Sequence, residues 1–255
     1  MTHAGRVEVL EEIWRRALSR QTVPPAAVIA LTAALALALV LVPRLWPLTR
    51  LAVTITHEGA HAVAAVLAGR RLQGIRLHSD TSGLTVSKGR PAGPGMVAML
   101  AAGYLGPAIV GVAAALMLGA GLSLALLWCY VLLLALMLMQ IRNFYGLLVV
   151  VGAGAALAAI SWYLTAPVQS TIAYLIPWVL LIAAPKPVLE LARQRRRGRG
   201  ARSDVDQLAW LTAIPALAWT GFFLVANLVG LVVGAALLLP ALASLTRDLA
   251  AGFGA

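Results

Sequence analysis

Two histidines and one glutamate stand together in Thr56-His57-Glu58-Gly59-Ala60-His61, the spacing written HExxH. On a helix, positions i and i+4 lie about 40° apart in azimuth, so His57 and His61 can present both imidazoles to one metal ion. Glu58 lies about 100° round from His57, near enough to serve a metal-held water without being needed as a ligand. A Zn2+ ion on three protein ligands keeps one position open and lowers the pKa of bound water to about 7. A neighbouring carboxylate can then take the proton as water attacks a carbonyl. The extended HExxHxxGxxH of many soluble zinc proteases is absent, because Ala64 and Leu67 stand where Gly and His would be required.

These three polar groups lie in an apolar stretch, and an ionisable residue there is a functional hypothesis by default. The chain of 255 residues is 61% hydrophobic and 11% charged, with a mean hydropathy of +0.90. Soluble domains are nearer 45–50% apolar and about 25% charged, so both a soluble globule and a disordered chain are excluded. Cys129, the single cysteine, lies in an apolar run and offers neither a disulfide framework nor a thiolate metal site. The expected fold is an all-α polytopic membrane protein with a short β-hairpin. Apolar runs occur at about 23–42, 51–69, 96–118, 122–141, 147–165, 170–184 and 207–245. The last would be about 60 Å long as one helix, about twice the hydrocarbon thickness, so a break is expected at Asn227 with Gly230. The count is seven transmembrane helices, with eight as the alternative.

Before the first run, residues 1–22 carry Val7, Leu10, Trp14, Ala17 and Leu18 at helical spacing among charges, which suits a helix on the membrane surface. With this N-terminus cytoplasmic, seventeen of the twenty Lys and Arg fall inside, leaving Arg44, Arg50 and Arg247 outside. The net charge of +11 is thereby assigned to membrane orientation, not to nucleic acid. Eighteen of the twenty cations are Arg, which fits a GC-rich bacterial genome. The membrane domain, residues 23–255, contains two polar interruptions, both expected on the cytoplasmic side. Residues 186–206 read as a basic linker, either a solvated loop or a contact for anionic headgroups. Residues 72–88 place Leu72, Ile75 and Leu77 before Ser79-Asp80-Thr81-Ser82-Gly83, then Leu84, Thr85 and Val86, the pattern of a hairpin.

HExxH in a membrane helix, followed by such a hairpin, resembles the site-2 protease family of intramembrane zinc metalloproteases, in its M50B-like branch. Further matching stretches are Ala102-Gly103-Tyr104-Leu105-Gly106-Pro107, Arg142-Asn143-Phe144-Tyr145-Gly146, and Ser203-Asp204 running into Gln207-Leu208-Ala209. The resemblance implies a helical core holding zinc on His57 and His61, Glu58 as general base, and hydrolysis of peptide bonds in membrane-spanning substrates. The Asn-Pro-Asp-Gly or Leu-Asp-Gly sequence that supplies the third ligand in better-known members is absent, and so is the Asn that often follows the Gly-Pro start. Among the acids, Asp80 sits in a turn, Glu190 precedes a basic run and Asp248 follows the last apolar run. Asp204 is the expected third ligand, favoured by the Ser203-Asp204 match, with Asp206 and Asn143 as alternatives. Asp204 follows Arg202 closely, whereas His61 lies about 13 Å below the interface, so the 203–207 segment must dip into the bundle.

A substrate helix hides its peptide bonds, so an extended stretch must be exposed before hydrolysis. A free hairpin edge could pair with that stretch. The partners expected are therefore a membrane-spanning substrate and the cell-membrane bilayer. Two other classes compete with the enzyme: an inactive relative that binds or shields membrane partners, and a transporter using the His-Glu-His cluster as a proton relay.

Overall fold

The computed structural model describes residues 15, 19–197 and 203–239, and the expected surface helix in residues 1–22 lies almost wholly outside them. The order is α1 (Ala26–Leu41), α2 (Trp46–Leu67), β1 (Arg71–Leu77), β2 (Gly83–Lys88), α3 (Pro94–Gly119), α4 (Ser123–Leu138), α5 (Phe144–Tyr163), α6 (Ala166–Ala183), α7 (Pro185–Arg196), α8 (Asp204–Thr212) and α9 (Ala216–Leu238). Helices dominate because bilayer hydrocarbon leaves backbone groups no partner but their own chain.

Among the described residues, four helical stretches are long and apolar enough to cross a membrane, fewer than the seven expected: α3, α5, the continuous run Ala166–Arg196, and α9. The runs at 23–42 and 51–69 form a pair bent by 98°, a fifth span at most. Pro43 lies in that elbow, where it cannot continue a helix. The 122–141 run yields the 16 residues of α4, about 24 Å and short of the hydrocarbon thickness. Residues 186–196 of the expected linker continue the line of α6 as α7. Val188 and Leu191 are buried there, so apolar packing overrides the loop expected from the charges. The last run breaks at 213–215 rather than at Asn227: Ala213 is left-handed at φ 56°, and Pro215 caps the start of α9. Asn227 stays within α9, fully buried, and donates to Tyr104 O at 3.1 Å.

The elbow also changes the topology. Gln21 N donates to Gly121 O at 2.8 Å, and Gln21 Nε2 donates to Gln169 Oε1 at 3.3 Å. The start of α1 therefore meets the far end of α3, which is 26 residues long, about 39 Å from the hairpin end. Residues 19–22 and the hairpin consequently lie at opposite ends of the bundle, not on the one side expected. Arg50, expected opposite Lys186 and Arg193, instead lies 3.6 Å from Glu190. Both differences have one cause: α2 turns by 98° from α1 at the elbow.

A core of Ile29, Ala36, Leu118, Leu127, Ala173 and Leu181 joins α1, α3, α4 and α6. The hairpin forms within one residue of its expected start, with β1 antiparallel to β2. Its turn is closed by Asp80 Oδ1, which accepts from Ser82 N at 3.0 Å and from Ser82 Oγ at 2.6 Å. These bonds hold the Asp80 carboxyl below the usual carboxylate range.

Candidate metal centre

Helix α2 carries His57, Glu58 and His61 into the bundle, and the last two are buried. His61 Nδ1 donates to Met99 O at 2.6 Å, which selects the tautomer whose Nε2 is free to bind a metal. The Nε2 atoms of His57 and His61 are 3.0 Å apart. Asp204 Oδ2 completes the group at 3.3 Å from His57 Nε2 and 3.2 Å from His61 Nε2. Bonds of about 2.0–2.1 Å to a tetrahedral ion imply ligand separations of about 3.3 Å. Two imidazole nitrogens and one carboxylate oxygen in this triangle therefore fit zinc, with one position left open.

Asp204 reaches the histidines because one face of α8 is buried at the end of the bundle. Val205 and Leu208 are fully buried, packed with Leu100, Val188, Leu191 and Phe223. The chain thus dips inward as the sequence required, but as a helical turn and not as irregular backbone. Ser203 is the N-cap: its Oγ accepts from Asp206 N, while Asp206 Oδ2 accepts from Ser203 N at 2.9 Å. This reciprocal box assigns the two acids different work. Asp204 faces the imidazoles. Asp206 caps the helix and accepts from Arg195. Burial would raise both carboxyls. It is outweighed at Asp204 by hydrogen bonding to the two histidines, and at Asp206 by Ser203 and Arg195, so both sit below the usual range.

Asn143 is not part of the group. Its side chain makes two bonds to one residue of β1, Nδ2 donating to Leu77 O at 2.6 Å and Oδ1 accepting from Leu77 N at 3.2 Å. Ile75 N to Gln140 O at 2.7 Å and Arg142 N to Ile75 O at 2.9 Å extend the same pairing. The outer edge of β1 is therefore occupied, whereas that of β2 has no backbone partner among the described residues. Asn143→Ala is expected to loosen the hairpin by about 1–3 kcal/mol for two lost hydrogen bonds. Hydrogen exchange at Ile75 and Leu77 should rise while zinc content stays; unchanged protection of both amides would refute the tether.

Several contributors had no motif to reveal them. Thr85 Oγ1 donates to Glu58 Oε2 at 2.6 Å. A Cβ added to Gly83 would lie 2.5 Å from Glu58 Oε1, so the bare turn of β2 makes room for the carboxylate. Gly83, Thr85 and Ser87 are half-buried while Leu84, Val86 and Lys88 are exposed. Alternation with small and polar residues facing inward was the available signal. Gly103 and Gly106 let α3 approach α2 closely. A Cβ at Gly106 would lie 2.5 Å from that of Ala60, and one at Gly103 would lie 2.4 Å from His61 Nε2. Tyr104 sets its ring edge-on to His57, with centroids 5.1 Å apart.

The family model described as Peptidase M50B-like matches residues 30–234. No curated protein and no solved structure matches the chain.

Proposed function

Since the chain belongs to the Peptidase M50B-like family, we propose that it is an intramembrane zinc metalloprotease cleaving peptide bonds of membrane-spanning substrates. One observation carries the reading. Two histidines from α2 and an aspartate more than 140 residues later converge on one point, within 3.3 Å of one another, beside a buried glutamate. Zinc held there would polarise a scissile carbonyl and acidify water. His57, His61 and Asp204 would hold the ion, and Met99 O fixes the His61 ring. Glu58, steadied by Thr85, accepts the water's proton and passes it to the leaving amine. The free edge of β2 begins beside Glu58, so an extended substrate pairing along it satisfies its own backbone while bringing a carbonyl to the site.

The cation distribution supports an orientation. Arg70, Arg71, Arg76, Lys88, Arg90 and Arg142 belong to the hairpin end, and Arg50 joins them through Glu190 on α7. By the positive-inside rule this end faces the cytoplasm of the cell membrane, and the Gln21 end faces away.

Metal analysis of purified protein, paired with cleavage of model transmembrane substrates, tests the reading. One zinc per chain is expected, falling to background in His57→Ala and His61→Ala and by at least about 100-fold in affinity in Asp204→Ala, with membrane insertion retained. Full zinc occupancy in either histidine variant would overturn the site. Zinc without cleavage would favour a shielding relative, and cleavage without zinc would remove the metal from the reaction.

A further inference from the structure

The two halves of the metal group come from α2 and α8, and α7 lies between them with a grip on each. At one end, Glu190 Oε1 accepts from Trp46 Nε1 at 2.9 Å, and Glu190 Oε2 lies 3.6 Å from Arg50 Nη1. Trp46 opens α2, the helix that carries both histidines. Lys186, one turn before Glu190, donates to Val40 O and stands 3.9 Å over the Trp46 ring. At the other end, Arg195 donates through Nη2 to Asp206 Oδ1, and Asp206 caps the turn that begins at Asp204. Five residues separate Glu190 from Arg195, about 140° of azimuth, so α7 addresses α2 and α8 from different faces. Val188 and Leu191 fill the stripe beneath Arg195 and pack on Val205 and Leu208.

We propose that α7 is the brace that sets the separation of the two halves of the metal centre, with Arg195 the positioning residue that holds Asp204 on the histidines by way of Asp206. The proposal rests on the zinc reading above and adds what controls it. Arg195 touches neither the metal group nor a substrate; it acts on the first turn of α8. A turn free to rotate or fray takes the Asp204 carboxylate out of ligand range, and residues that orient ligands in this manner are worth about 10–100-fold in metal affinity.

The sign of the effect separates positioning from simple electrostatics. Arg195 is a cation near a cation site, so removing its charge alone would tighten zinc binding. The brace demands the opposite. Zinc affinity of the full chain in detergent, measured against a chromophoric chelator, is expected to fall about 10–100-fold in Arg195→Ala. It should recover in part in Arg195→Lys and fall again in Glu190→Ala, which frees the other end. Arg196→Ala, one position on and exposed, should leave affinity unchanged. The unfolding temperature of the zinc-free protein should move little in Arg195→Ala, since the apolar packing of α7 remains. Arg195→Met, which keeps the apolar stem but neither the charge nor the hydrogen bond to Asp206, repeats the test with the same sign if Arg195→Ala does not accumulate. Affinity that holds or rises in Arg195→Ala or, where that variant does not accumulate, in Arg195→Met, with tight binding by the parent, would overturn the brace and leave the zinc site standing. A parent that binds no zinc would overturn both.

Discussion

Glu58→Gln is expected to retain zinc and lose hydrolysis, by about 10²–10⁴-fold at the least, the contribution of a positioned general base. The amide keeps the length and planarity of the carboxylate, and its oxygen can still accept the Thr85 hydroxyl that now reaches Glu58 Oε2 at 2.6 Å. What it lacks is a basic lone pair for the proton released as water attacks. Neither metal ligation nor packing should change, because the triangle of His57, His61 and Asp204 does not include Glu58. The comparison is therefore clean: equal zinc by metal analysis, equal unfolding temperature, and a collapse confined to kcat. Turnover equal to that of the parent would remove Glu58 from the mechanism. Zinc loss in step with activity would instead make it a ligand.

The convergence of the two histidines was more legible than the frame around it, for physical reasons. An HExxH pair needs only helical geometry to bring its imidazoles together, so His57 and His61 could be read from spacing alone. Asp204 needed more. Its distance along the chain says nothing of its place in space, and the capping preference of Ser203 fits an ordinary helix start as well as a ligand. The structure divides the labour that the sequence left open among Asp204, Asp206 and Asn143, because only packing of Val205 and Leu208 decides which acid faces inward. The span count was less legible, because hydropathy has no information about direction. The elbow at Val42–Leu45 turns two apolar runs by 98°, and with that turn residues 19–22 and Arg50 change their placement relative to the hairpin while the hairpin and α7 keep theirs. Alternation in β2 marks Gly83 and Thr85 as inward-facing and no more; their work on Glu58, like that of Arg195 on Asp206, depends on neighbours brought close only by tertiary folding.

Gly103→Ala should empty the metal site without touching any ligand. α3 approaches α2 so closely that a Cβ at Gly103 would lie 2.4 Å from His61 Nε2, 2.5 Å from His61 Cε1 and 2.6 Å from His57 Nε2. Contacts this short are repulsive, and the methyl would occupy the space at the ligand atoms themselves. Relief requires α2 and α3 to move apart or the imidazoles to rotate. The first is resisted a turn away, where Gly106 lets Ala60 and the Thr56 carbonyl pack against α3. The second breaks the 2.6 Å bond that fixes His61 on Met99 O. Overpacking of this kind costs about 1–3 kcal/mol in stability, but the metal should feel it far more, since both nitrogens are displaced together. Zinc affinity is expected to drop by at least about 100-fold, and activity with it. Gly59→Ala supplies the control within HExxH itself: nothing lies within 4 Å of an added Cβ there, and Ala is the better helix former by about 1 kcal/mol. That variant should bind zinc and turn over as the parent does. If Gly103→Ala retained full zinc occupancy, the close approach of α3 to the imidazoles would have no part in shaping the site.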